Sequence, residues 1–78
     1  MKKINVLIEY CFASRFREVQ RAIFKQVPDA IVIGNVGRWS SFEVTVNGKL
    51  IYSMLETGEF PNRDLIATEV VKIANENE

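Results

Sequence analysis

From Lys3 to Glu9 (KINVLIE) apolar and polar positions alternate, with Ile4, Val6 and Ile8 on one side and Asn5, Leu7 and Glu9 on the other. A period of two rich in β-branched residues predicts a strand with both faces at least partly covered. Over residues 14–27 the period changes. Phe16, Val19, Ile23 and Val27 recur at three- and four-residue steps, Phe24 widens the stripe, and Arg17, Arg21 and Lys25 fill another face. That pattern predicts an amphipathic helix of about four turns, stopped by Pro28-Asp29. The apolar run Ala30–Ile33, bounded by Gly34-Asn35 and Gly37, predicts a second strand. So compact a strand–helix–strand unit is expected to be parallel and right-handed.

Gly34 to Ser41 reads as a loop, and Gly34-Asn35-Val36-Gly37 within it as part of that loop rather than a backbone-clamping RNA motif. Next, Phe42–Val46 and Lys49–Met54 alternate on either side of Asn47-Gly48. An Asn-Gly pair between two alternating runs predicts a type I′ hairpin, because both turn residues accept positive φ. The expected register sets Val46 opposite Lys49, Val44 opposite Ile51 and Phe42 opposite Ser53. Glu56–Pro61 reads as a loop. Asn62 is suited to cap a final helix with Asp64 in its first turn and Ile66, Val70, Ile73 and Ala74 as its apolar stripe; Asn75–Glu78 are expected to fray. The order β-α-β-β-β-α predicts an α/β (α+β) domain over residues 1–78, a four-stranded mixed sheet with both helices on one face. Leu7, Leu50, Tyr52 and Met54 then fall on the uncovered face, a candidate surface for a partner or a second copy.

Composition narrows the chemistry. With 47% hydrophobic and 26% charged residues, the 78-residue chain is of ordinary globular type. No apolar run approaches the roughly 18–20 residues that span a bilayer, and Glu9 interrupts the first apolar stretch too early for a signal-peptide core. A cytoplasmic protein without a membrane partner is expected. There is no histidine and one cysteine, which leaves no His-assisted nucleophile, no internal disulfide and no ordinary zinc ligand set. Charge is zero overall but segregated. Residues 1–28 hold six basic groups against Glu9 and Glu18, a balance of +4, and residues 29–78 balance it at −4. Such asymmetry can attract anionic partners, although a solvated helix face is the preferred explanation; with no net charge, nucleic acid is not expected.

One group remains for chemistry. Cys11 follows the first strand, and the helix is expected to begin around Ser14. Unsatisfied N–H groups and the helix dipole at that place stabilise a thiolate, with Arg15 close by. The alternative is a buried, inert cysteine. Among the aromatics, Trp39 in its Gly/Ser-flanked loop is expected to be exposed, Phe42 and Phe60 to be core, and Phe12 to rim a groove beside Cys11.

Tyr10-Cys11-Phe12-Ala13-Ser14 after a hydrophobic strand resembles the Y-C-x-x-C or Y-C-x-x-selenocysteine motif of the selenoprotein W-like (Rdx) family. Phe42–Ile51 resembles that family's F-E-V-x-V-x-G-x-L-I hairpin, and Gly58-Glu59-Phe60-Pro61 its G-x-F-P turn. The three segments, in order, span nearly the whole chain. The resemblance implies a thioredoxin-like fold and a redox role involving thiols and glutathione. Cys11 then matches the first motif cysteine, and Ser14 stands where members carry Cys or selenocysteine. A hydroxyl cannot attack a mixed disulfide as a second thiol does. The resemblance therefore implies at most a monothiol oxidoreductase-like activity at Cys11, with Ser14 as hydrogen-bond donor or helix cap. Phe12, Ala13 and Trp39 are the expected partner contacts, glutathione or a thiol-containing protein the expected partner, and no resident cofactor is implied. A non-catalytic interaction module on the same fold is the competing expectation. Ser40-Ser41 occupy the place where thioredoxin relatives usually carry a cis-proline.

Overall fold

A computed structural model describes residues 4–76. Its elements are β1 (Asn5–Tyr10), α1 (Ala13–Gln26), β2 (Ile31–Val36), β3 (Phe42–Val46), β4 (Lys49–Ser53), a short α2 (Met54–Thr57) and α3 (Arg63–Glu76). The four strands form one sheet in the order β2-β1-β3-β4. β1 and β2 are parallel, as the crossover through α1 requires, and β3 runs antiparallel to both β1 and β4. The alternation in β1 decides the layering. Val6 and Ile8 join Phe42, Val44 and Val46 in a core closed by Val19, Ala22 and Ile23 of α1 and by Ile66, Ala67 and Val70 of α3. Both long helices thus cover one face, as expected.

The other face carries an apolar row. Leu7 pairs with Ile33 on one side and Thr45 on the other, and Thr45 pairs with Leu50. Leu7, Ile33 and Leu50 are all exposed there. Tyr52 and Met54 do not join them, contrary to expectation: both are half-buried against the core. The cause is a β-bulge. Val46 faces Lys49 as expected, but Val44 faces Tyr52 instead of Ile51, and Glu43 rather than Phe42 faces Ser53. One extra residue in β4 shifts the parity of everything after it.

Four further boundaries differ from the sequence reading. α1 begins at Ala13 with Phe12 as N-cap, so Ser14 is not the cap. β2 continues to Val36 because β1 offers it a ladder as far as Tyr10. Gly34 fits within that strand because the Phe16 ring fills its side-chain space; a Cβ there would lie 2.6 Å from the ring. Residues 54–57 are helical, although Met54 reads as the end of a strand and Glu56-Thr57 as the start of a loop: the Ser53 hydroxyl accepts the Glu56 N–H (3.3 Å), and Gly58, at φ 77°, closes the turn onto the Met54 carbonyl (2.7 Å). At the end of the chain α3 holds Asn75 and Glu76 in helix, and the expected fraying of Asn77 and Glu78 lies outside the described residues. Asn62 does cap α3, its Oδ1 accepting the N–H groups of Asp64 (2.9 Å) and Leu65 (3.2 Å).

Candidate functional site

Cys11 occupies the bend between β1 and α1, partly buried and free of any disulfide. Its N–H donates to the carbonyl of Ser41 (3.1 Å), which ties the thiol-bearing bend to the residue just before β3. Among the described residues no side chain caps the start of α1, and backbone bonding there begins with the N–H groups of Arg15 (3.1 Å) and Phe16 (3.3 Å), both donating to the Phe12 carbonyl. The amides of Ala13 and Ser14 are therefore left as free donors at the helix end next to Cys11. This is the environment that stabilises an anion.

The loop facing the bend is held from below by Glu9. Its carboxylate accepts the Arg38 N–H (3.2 Å) and lies 3.5 Å from the Arg38 Nε. The Gly37 N–H donates to the Tyr10 carbonyl (2.8 Å), and the Ser41 N–H closes a turn onto the Arg38 carbonyl (3.0 Å). Ser40 in that turn takes a left-handed φ of 61°, uncommon for a residue with a side chain. The Arg38 N–H is the main reason the Glu9 carboxyl ionises below its ordinary 4.5; partial burial opposes this, while the Ser41 hydroxyl and the Arg38 guanidinium reinforce it. The buried Ser41 hydroxyl makes no well-formed hydrogen bond among the described residues, and it favours the ionised Glu9 as a neighbouring polar group.

The clamped loop carries Trp39, 80% exposed as expected, and sets its ring 6.4 Å from that of Phe12, itself 46% exposed. Phe12 also packs edge-on against Phe60 (5.9 Å), which packs against the fully buried Phe42 (6.2 Å). A continuous aromatic file thus runs from the core to the surface beside Cys11. Phe42 is core; Phe60 is half-buried and packs on it. The Arg15 guanidinium lies 4.6 Å over the Phe60 ring and 3.9 Å from Glu18, so its charge is engaged by those groups. Ala13 and Ser14 are exposed on the first turn of α1, and Ser14 makes no hydrogen bond to Cys11. The structure therefore brings Cys11, Phe12 and Trp39 together, while Ser14 opens onto the groove between α1 and the start of α3. The sequence does not reveal that Glu9 supports this loop, nor that the Ser41 carbonyl anchors the bend at Cys11. The only hint was an acid on the open face of a strand two residues before the cysteine.

A mixed sheet of order 2-1-3-4, two long helices on one face and a thiol at the first strand–helix junction define a thioredoxin-like domain. The chain belongs to the Rdx family, whose model matches residues 5–72. It is 32% identical over 80 residues to migration and invasion enhancer 1 of Bos taurus, and 30% identical to that of Mus musculus. Each alignment covers 96% of this chain and 68% of the relative. Its fold matches the crystal structure of a selenoprotein W-related protein from Vibrio cholerae with a TM-score of 0.83, at 20% identity, over 92% of this chain and 98% of the other. No helix of the described residues is long and apolar enough to cross a membrane.

Proposed function

We propose that the protein is a thiol-based redox protein in which Cys11 works alone, forming and releasing mixed disulfides with glutathione or with a protein thiol. The observation that carries the reading is the position of Cys11: partly accessible, and beside the free amides of Ala13 and Ser14. Membership of the Rdx family supports the same chemistry. The Cys11 thiolate attacks one sulfur of oxidised glutathione; the sulfur–sulfur bond breaks, one glutathione leaves as thiolate, and Cys11 is left bonded to the other. Cys11 is oxidised and the departing glutathione reduced. An external thiolate then attacks the glutathione sulfur, takes it as a new disulfide and returns Cys11 to thiolate. Ser14 cannot perform that second attack, so turnover depends on the external thiol. With a protein partner, Phe12, Ala13 and Trp39 are the surface on which the segment flanking the reacting sulfur rests.

Intact-mass analysis after exposure to oxidised glutathione, followed between about pH 6 and 9, tests this. The expected result is one adduct, absent in Cys11→Ser, forming faster than on free cysteine. A rate no greater than that of free cysteine throughout would remove the redox reading. The exposed Phe12–Trp39 pair favours a second reading, a partner-binding module without turnover. Partner binding that survives Cys11→Ser but is lost in Trp39→Ala would establish it.

A further inference from the structure

The outer face of α1 carries a line of charge that the thiol chemistry does not use. Arg17, Arg21 and Lys25 follow one another at four-residue steps, all exposed, with no carboxylate within 4.0 Å of any of them among the described residues. Together with Arg63 from the start of α3 they line a groove of about 650 Å3. Its two acids are already engaged. Glu18 is paired with Arg63 (3.4 Å) and Arg15 (3.9 Å), and Asp64 lies 4.0 Å from Arg63. The three α1 cations therefore face solvent uncompensated. Phe24, three residues beyond Arg21 and so on the same helical face, is 37% exposed and adds an apolar contact to the row.

We infer that this face of α1 docks an acidic helical segment of a partner protein, with carboxylates one turn apart set against Arg17, Arg21 and Lys25. The dimensions favour that occupant. The three cations span about 12 Å along a single helix. Duplex nucleic acid presents a charge about every 1.7 Å and extends in both directions, far beyond a row of three cations. A helix bearing one acid per turn matches the row group for group and stops where it stops. The inference is independent of the thiol chemistry and is tested without it.

The test uses the full chain carrying Cys11→Ser. The probe is an alanine-based helical peptide of about 18 residues with three glutamates four apart, followed by amide shifts in 15N-labelled protein. Saturable shifts confined to α1 and residues 63–64 are expected. The variant Arg17→Gln/Arg21→Gln/Lys25→Gln, at exposed positions and checked for an unchanged circular dichroism spectrum, should bind at least about tenfold more weakly. The same peptide with glutamine for glutamate should not bind. No saturable shift up to about 1 mM peptide, or equal binding by the triple variant, overturns the inference. Tighter binding to a single-stranded oligonucleotide or to phosphatidylserine vesicles through the same residues overturns it in favour of that polyanion or surface.

Discussion

Glu9 is the residue on which the loop beside the thiol rests. Its carboxylate holds the Arg38 N–H at 3.2 Å and the Arg38 guanidinium at 3.5 Å, and the turn so fixed carries Trp39. The carboxyl ionises below its ordinary 4.5 in the folded protein, chiefly through the Arg38 N–H. The sign follows from linkage: a depressed folded-state value contributes stability that is present above the unfolded value of 4.5 and is lost as pH falls through the lower folded value. Trp39 is the sole tryptophan of the chain, so its fluorescence reports this loop directly. The emission is expected to change on acidification with a midpoint below 4.5. Glu9→Gln should remove that transition and leave the unfolding midpoint at neutral pH nearly unchanged, because the carboxylate is partly exposed. A transition that persists in Glu9→Gln would assign the loop's support to another group. Cys11, Phe12 and Trp39 were legible in the sequence because strand end, helix start and Gly/Ser-flanked loop are local signals. Glu9 was not, since its partner lies 29 residues away and only the fold brings them together.

At the scale of elements, the hairpin shows how one turn residue can do two tasks. Asn47 and Gly48 take φ values of 50° and 84°, the positive pair that a type I′ turn needs. Asn47 also reaches across to β1: its Oδ1 accepts the Asn5 N–H (2.9 Å), and its own N–H donates to the Asn5 carbonyl (2.8 Å). Asn47→Gly keeps a turn-compatible backbone and deletes only the side-chain bond. It should lower stability by about 1 kcal/mol, read as a shift of the urea midpoint without a change in slope. A loss below a few tenths would mean that the turn alone sets the junction with β1. The turn itself was readable, as were the two long helices, because period and capping residues are local. The bulge in β4 was not. Strict alternation sets Ser53 against Phe42, whereas the fold sets it against Glu43, whose carboxylate accepts the Ser53 hydroxyl and the Leu55 N–H. That network positions the start of α2, a helix of four residues and too short to show a period. Tyr52 was misplaced for the same reason. Past the bulge it packs on the core, and its hydroxyl reaches Thr57 (2.8 Å) and the Glu59 carbonyl.

For the molecule as a whole, the core and the candidate site are one packed object. Phe42 is fully buried between the sheet and the helices, and through Phe60 and Phe12 it is in line with Trp39 at the surface. Its removal should therefore be felt twice. Truncating a buried phenylalanine costs about 3–5 kcal/mol in lost transfer energy and residual cavity. Set against a total stability of about 0.05–0.15 kcal/mol per residue, that is a large share for a chain of 78 residues. Phe42→Ala is expected to lower the urea midpoint by at least about a quarter, or to leave the chain largely unfolded at 25 °C. Phe60→Ala separates the two effects. Phe60 is only half-buried, so its truncation should cost less than that of Phe42 while disturbing the surface rings more directly. The Trp39 emission of the folded variant should shift toward that of free indole, because Phe12 loses the edge-on contact that holds it beneath Trp39. If Phe60→Ala left that emission unchanged, the Glu9–Arg38 clamp would by itself suffice to hold Trp39, and the surface beside Cys11 would not depend on the core behind it.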